Sequence, residues 1–236
     1  MTQRVAGPPQ GAITPSGGSA AHEVASVGAN AFMPSGTVYG TLLNFRAEVE
    51  ALAPQMNQPP YKAPPQAPVL YVKPTNTWSA SGASIPVPAR VPEVEVGASI
   101  AMVMAEAGAV AGYVLVNDLS IPHASFFRPP VKFKCLDGFL GIGERLVPAG
   151  EAGNPSGFSL EVRINGELKQ TVNFSHLVRD AARLLADVGA FMTLRPGDVL
   201  MLGCDTGRPL AKAGDRVEIT APGFGVLSNT LVAEAS

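Results

Sequence analysis

An ionised side chain set among apolar residues needs a partner, because leaving water without one is costly. Lys134 of this 236-residue chain, between Phe133 and Cys135, stands in such a setting; Asp118 at the end of GYVLVND and Arg128 in FFRPP are the other charged candidates. Lys134 there offers fixed positive charge to a bound anion or to a structural counter-ion. Arg128 presents a planar fork that suits a substrate carboxylate, and it serves equally well as half of a salt bridge. Asp118, beside Asn117, either takes part in chemistry or accepts backbone hydrogen bonds at a turn. Cys204 in GCDTG reads as a small buried hydrophobe more readily than as a nucleophile. His123 lies in the loop after Asp118 and His176 in the first turn of an expected helix. No Ser-His-Asp or Cys-His spacing accompanies either histidine.

The elements that would position these groups follow from periodicity. Residues 1–35 are rich in Gly, Pro and Ala without period, which predicts a flexible tail before a single domain over 36–236. The apolar run VYGTLLNF opens that domain, followed by a short helix after Asn44 that carries Glu48, Glu50 and Leu52 and stops before Pro54. Val69–Lys73 alternates as a strand. The stretch from Ser79 to Pro92 reads as loop and edge structure, and SIAMVMA and GYVLV as further strands. Asn165-Gly166 between two alternating runs predicts a type I′ hairpin. Ser175 is placed to cap a helix whose apolar face runs from Leu177 to Val188. Turns at Pro196-Gly197-Asp198 and Gly214-Asp215 lead into VLML and RVEIT, and PGFG into VLSNTLV. The fold class is therefore α+β and mostly β, with a few helices.

Composition narrows the function. Apolar residues make up 46% of the chain and charged residues 15%, with a formal net charge of −2. No basic run or stripe offers a surface to nucleic acid or to an anionic membrane. No apolar stretch is long enough to span a bilayer, and the first residues lack the apolar core of a secretory signal. The two cysteines, Cys135 and Cys204, form no disulfide framework, so a cytoplasmic setting is expected.

Five motifs in order, GYVLVNDLS, KFKCLDGFLGIG, NGELKQ, FMTLRPGDVLMLGCDTG and AGDRVEITAPGFGVLSN, resemble the fumarylacetoacetate hydrolase family over roughly residues 37–232. The segments QPPYKAPPQAP, YVKPTNT, NDLSIP and FFRPPVKFKCLDGF are most similar to the amino-terminal half of its isomerase/decarboxylase branch in homoprotocatechuate degradation. The resemblance implies a mixed β-sandwich roll, a Mg2+ or Mn2+ ion chelating a small 2-oxo acid, and a lysine stabilising the enolate that forms. On it, Asp118 matches the metal-binding aspartate and Lys134 the active-site lysine, with Asp137 following in the same motif. Gly203, Cys204 and Gly207 match the loop that closes over substrate, Cys204 standing where a threonine is usual.

Two departures accompany the match. Gly97 and Ser99 stand where the family's metal-binding Glu-x-Glu pair belongs. Glu93 and Glu95 have the right spacing but lie four residues early, about 13 Å along a strand. Glu48 and Ala51 stand in the positions of the family's His-x-x-Glu acid/base pair. These departures imply a chain that either acts on unsaturated 2-oxo di- or tricarboxylates as an isomerase/decarboxylase subunit, or serves as the non-catalytic partner of a metal-bearing homologous subunit. An acylpyruvate-type hydrolase ranks behind both. A homo- or hetero-oligomer is the expected assembly.

Overall fold

The computed structural model describes residues 31–123 and 130–235. Most of the expected tail and Arg128 therefore lie outside the described residues. Phe32, from the end of that tail segment, donates its amide to the Glu144 carbonyl at 2.8 Å.

In the first half, strands β1 (Val38–Leu42), β2 (Val69–Lys73), β3 (Trp78–Ala80), β4 (Ser84–Val87), β5 (Val94–Glu95), β6 (Ala98–Met104) and β7 (Val110–Asp118) follow one another, with helix α1 (Arg46–Met56) after β1. Helix α2 (Val131–Lys134), strands β8 (Leu140–Ile142) and β9 (Val147–Pro148), and helix α3 (Ala149–Ala152) continue the chain. It then runs through β10 (Ser159–Ile164), β11 (Glu167–Asn173), α4 (Ala181–Gly189), β12 (Val199–Met201), β13 (Leu210–Ala211), β14 (Arg216–Ala221) and β15 (Gly225–Ala233).

Among the described residues, the main sheet has the order β2-β1-β12-β6-β7-β8-β3, with β9 joined to β7. A five-stranded sheet, β11-β10-β14-β15-β4, packs on one face of it, and β13 pairs with β5. This is the mostly-β sandwich with a few helices that the sequence predicts.

The alternation of β6 and β7 explains why both read as unbroken apolar runs. Ile100, Met102, Tyr113 and Leu115 point into the core between the sheets, while Ala101, Val103, Val114 and Val116 face the α1 side. Both faces are buried, so no polar residue marks a period of two. Asp118 shares the parity of Val114 and Val116, and Tyr71 belongs to the α1-side cluster. The strand pairing thus delivers Asp118 to the α1 side of the sheet.

The hairpin forms as expected, with Asn165 and Gly166 at φ 52° and 83°. Two helix limits differ from expectation. Helix α1 continues through Pro54 to Met56, because Leu52 and Met56 are buried and anchor the last turn while Pro54 faces solvent. The later helix starts at Ala181, not after Ser175. The Asp180 carboxylate accepts from the Arg183 amide at 2.8 Å, and the chain before it is held extended at Leu177, which bridges to Phe45.

Candidate active site

Two groups of buried charge meet on the α1 side of the main sheet. The first centres on Asp118, the last residue of β7, which is 1% exposed. Lys134, at the end of α2, donates to Asp118 Oδ2 at 2.6 Å, and Lys73 Nζ lies 3.0 Å from Oδ1. The Tyr71 hydroxyl also donates to Oδ2. Tyr71 and Lys73 reach the same carboxylate because they sit two apart on β2, on one face of the strand. Lys73 further donates to the carbonyls of Phe139, at 2.7 Å, and of Lys134. Lys134 also stands over the Tyr71 ring, 5.1 Å from its centroid.

Burial alone would raise the Asp118 pKa, but the ammonium groups of Lys134 and Lys73 and the Tyr71 hydroxyl hold it well below the usual carboxylate range. Burial also pushes Tyr71 up, so its hydroxyl keeps the proton it donates. The triad is therefore one carboxylate between two ammonium groups, with a net charge of +1.

The second group is Glu48, Arg208 and Glu95. Arg208 Nη2 lies 2.5 Å from Glu48 Oε1, and Nη1 lies 3.3 Å from Glu95 Oε2. Glu48 Oε2 accepts from the Leu43 amide at 2.7 Å. Burial raises the Glu48 pKa, opposed by Arg208 and by the Leu43 amide. A cleft of about 220 Å³ opens over this group, lined by Glu48, Ala51, Glu95, His123, Gly207 and Arg208, among others. The two triads act on each other electrostatically: Lys134 on Glu48, and Asp118 on Arg208. Together they carry three positive and three negative groups, so the charge closes to zero inside the protein.

The sequence-predicted residues divide between these groups and the surface. Asp118 and Lys134 come together in the first. Cys204 is buried, and burial pushes its thiol up to about 12, which argues against a thiolate at neutral pH. Gly203, at φ 107°, turns the chain there, and its carbonyl accepts from Ser99 Oγ at 2.5 Å. Gly207 lines the cleft. Asp137 is exposed and accepts from Asn76 Nδ2 at 2.7 Å, away from the buried pair. Glu93 is exposed, whereas Glu95 belongs to the Arg208 group. His176 is exposed.

Tyr71, Lys73 and Arg208 did not emerge from sequence as site residues. The signal for the first two was partial: a strand over Val69–Lys73 puts Tyr71 and Lys73 on one face, but the apolar residues Leu70 and Val72 on the other hide which face is inward. Arg208, in a Gly-Arg-Pro loop, carried no comparable signal.

A divalent ion bound by Asp118 with groups at positions 97 and 99 does not fit these residues. A Cβ at Gly97 would lie 2.2 Å from the Asp118 carbonyl oxygen, so no side chain is accommodated there. Ser99 spends its hydroxyl on Gly203. Both Asp118 oxygens already face ammonium groups, whose charge repels a dication. Among the described residues, no three His, Cys, Asp or Glu side chains converge to hold a metal.

The sandwich agrees with what whole-chain comparison finds. The chain belongs to the fumarylacetoacetate hydrolase family, whose C-terminal domain pattern matches residues 37–232. Its curated relatives include the 4-hydroxyphenylacetate degradation bifunctional isomerase/decarboxylases of Escherichia coli and Salmonella dublin. The first is 37% and the second 39% identical, each over 84% of this chain and 48% of the relative. The chain thus spans about half the length of these relatives.

Among solved structures, 5-carboxymethyl-2-hydroxymuconate delta-isomerase from Mycobacterium smegmatis superposes with a TM-score of 0.69. It is 27% identical and aligns over 85% of this chain and 80% of its own. A fumarylpyruvate hydrolase from Pseudomonas aeruginosa, solved with Mn2+ and pyruvate, shares the fold at 21% identity and a TM-score of 0.69. That match covers 84% of this chain and 90% of the hydrolase. Among the described residues, no helix is long and apolar enough to cross a membrane.

Proposed function

We propose that this chain is a cytoplasmic subunit of an isomerase/decarboxylase that acts on unsaturated 2-oxo di- or tricarboxylates in the breakdown of aromatic compounds. The observation that carries the reading is the buried Asp118–Lys134 ion pair, 2.6 Å long, in a chain 37–39% identical to isomerase/decarboxylases. Isomerisation and decarboxylation of such acids both pass through a dienolate. A fixed ammonium group stabilises that charge as it develops, because it is oriented before the reaction begins. Lys134 is the group for this role, and Asp118, fixed by Lys73 and Tyr71, positions it. Arg128 remains the candidate for a distal substrate carboxylate.

A second reading has its own observation. Gly97 leaves no room for a metal-binding side chain, which favours a non-catalytic partner that completes an oligomer with a metal-bearing homologous subunit. One experiment separates the two: follow the ultraviolet absorbance of an unsaturated 2-oxo dicarboxylate with the purified chain alone and with that subunit added. Turnover by the chain alone, abolished by Lys134→Met, supports the first reading. Turnover only in the mixture, at a rate indifferent to Lys134→Met, replaces it with the second.

A further inference from the structure

Asp118 and Lys134 have side-chain exposures of 0% and 2%, so in this arrangement no ligand touches either group. The cleft of about 220 Å³ is the nearby opening, and Glu48 and Arg208 form part of its wall. The residue after Arg208, Pro209, accepts from the Val96 amide at 2.9 Å, and the residue after Val96, Gly97, accepts from the Asp118 amide at 2.8 Å, which sets the Arg208 segment beside the buried pair. Arg208 belongs to the loop that begins at Gly203 and carries Cys204. Each of its three guanidinium nitrogens has a partner: Nη2 to Glu48 on α1, Nη1 to Glu95 on β5, and Nε donating to the Asp205 carbonyl at 3.2 Å. The loop is otherwise held by Ser99 Oγ donating to the Gly203 carbonyl and by Gln170 Nε2 donating to the Thr206 carbonyl at 2.8 Å.

We infer that Arg208 is a positioning residue of this site: by bridging Glu48 and Glu95 it latches the 203–208 loop over Asp118 and Lys134, and a 2-oxo acid reaches Lys134 only when that bridge is released. An arginine suits the task because its planar fork engages two carboxylates at once, which a lysine does not do with the same geometry. A substrate carboxylate supplies the exchange partner: it competes with Glu48 and Glu95 for the same nitrogens. The chemistry of the ligand and of the latch is therefore matched. The inference rests on the reading of Asp118 and Lys134 as the reactive pair, but its test does not use activity.

The chain supplies its own reporter. Cys204 is buried in the latched loop, Cys135 is half-buried outside it, and no other cysteine is present. The experiment alkylates the folded full chain with iodoacetamide and reads both cysteines by peptide mass spectrometry. Arg208→Gln is expected to raise the ratio of Cys204 to Cys135 labelling at least tenfold, with Arg208→Lys, which keeps one ion pair, in between. Glu95→Gln, a milder change at the cleft rim, is expected to raise the ratio too, and it keeps the test alive if Arg208→Gln fails to fold.

An unchanged ratio in a folded variant overturns the latch, as does a parallel rise at both cysteines, which marks general loosening. The functional reading fails differently. If the ratio rises as expected but calorimetry finds no oxalate binding to the unlatched chain, the latch stands and the 2-oxo acid site does not.

Discussion

The charge balance around Asp118 makes an ordering of mutant stabilities that a metal-held site would not give. Lys134→Met removes one of two cations and leaves Asp118 paired with Lys73 and Tyr71, so the triad goes from +1 to neutral. The expected cost is that of one charge-assisted hydrogen bond, about 1.5–3 kcal/mol. Asp118→Asn leaves two ammonium groups, at 0% and 2% exposure, with no counter-charge. That change is expected to cost about 3–5 kcal/mol. Lys73→Met also exceeds Lys134→Met, because the carbonyls of Phe139 and Lys134 lose their donor. The sharpest outcome is in the double variant. Once Asp118 is gone, removing Lys134 relieves repulsion, so Asp118→Asn/Lys134→Met should be more stable than Asp118→Asn alone. Urea unfolding measures this through Trp78, the one tryptophan, whose indole donates to the Lys73 carbonyl at 3.0 Å. A double variant less stable than Asp118→Asn, or a cost below about 1 kcal/mol for Asp118→Asn, refutes the view that the carboxylate exists here to balance buried lysines.

Restoring the family's glutamates should fail for a steric reason: Gly97→Ala alone is expected to cost about 1–3 kcal/mol or more. Gly97→Glu/Ser99→Glu should therefore show no micromolar Mn2+ binding by electron paramagnetic resonance. Ser99→Ala strips the buried Gly203 carbonyl of its donor, for an expected loss of about 1–3 kcal/mol in the same urea assay. For Glu48, whose pKa is raised by burial, the folded chain holds the proton more tightly than the unfolded one. Its contribution is fully present below pH 4.5 and is lost as pH rises through the elevated folded value. Unfolding of the wild type and Glu48→Gln across pH 4–8 should show that decline in the wild type only; parallel profiles would exclude it.

Much of this was legible in the residues, for identifiable reasons. The β10–β11 hairpin was visible because Asn165 and Gly166 both adopt positive φ, which few residue pairs do. Strands β6 and β7 were found, yet their role as a wall between two cores was not, since burial on both faces erases the alternation that tells inside from outside. Lys134 stood out as a charge in apolar context, and Asp118 through its place in the motif GYVLVNDLS. Lys73 was equally buried but sat at the end of a short strand before Pro74, where a lysine ordinarily faces solvent. Arg208 and Glu95 are 113 residues apart and Arg208 and Glu48 160, a separation that local pattern does not span. The helix starting at Ala181 was misjudged at its beginning because both Ser175 and Asp180 are capable caps. The extended pairing of Leu177 with Phe45, a tertiary contact, decides between them.

The pairing of β1 with β12 has a consequence for how the protein is made. Val38 lies beside Val199, Thr41 Oγ1 donates to the Met201 carbonyl, and Asn44 Nδ2 to the Leu202 carbonyl. Each contact closes a loop of about 160 residues, the kind of joining that slows folding most. On the ribosome, the 203–208 loop lacks its ion-pair anchor until Arg208 has been synthesised, and Glu48 waits without that partner through most of translation. A nick in the exposed Asn165-Gly166 turn would divide Glu48, Asp118 and Lys134 from Cys204 and Arg208. The Asp118 group would stay whole in the first fragment, whereas Glu48 and Glu95 would be parted from Arg208.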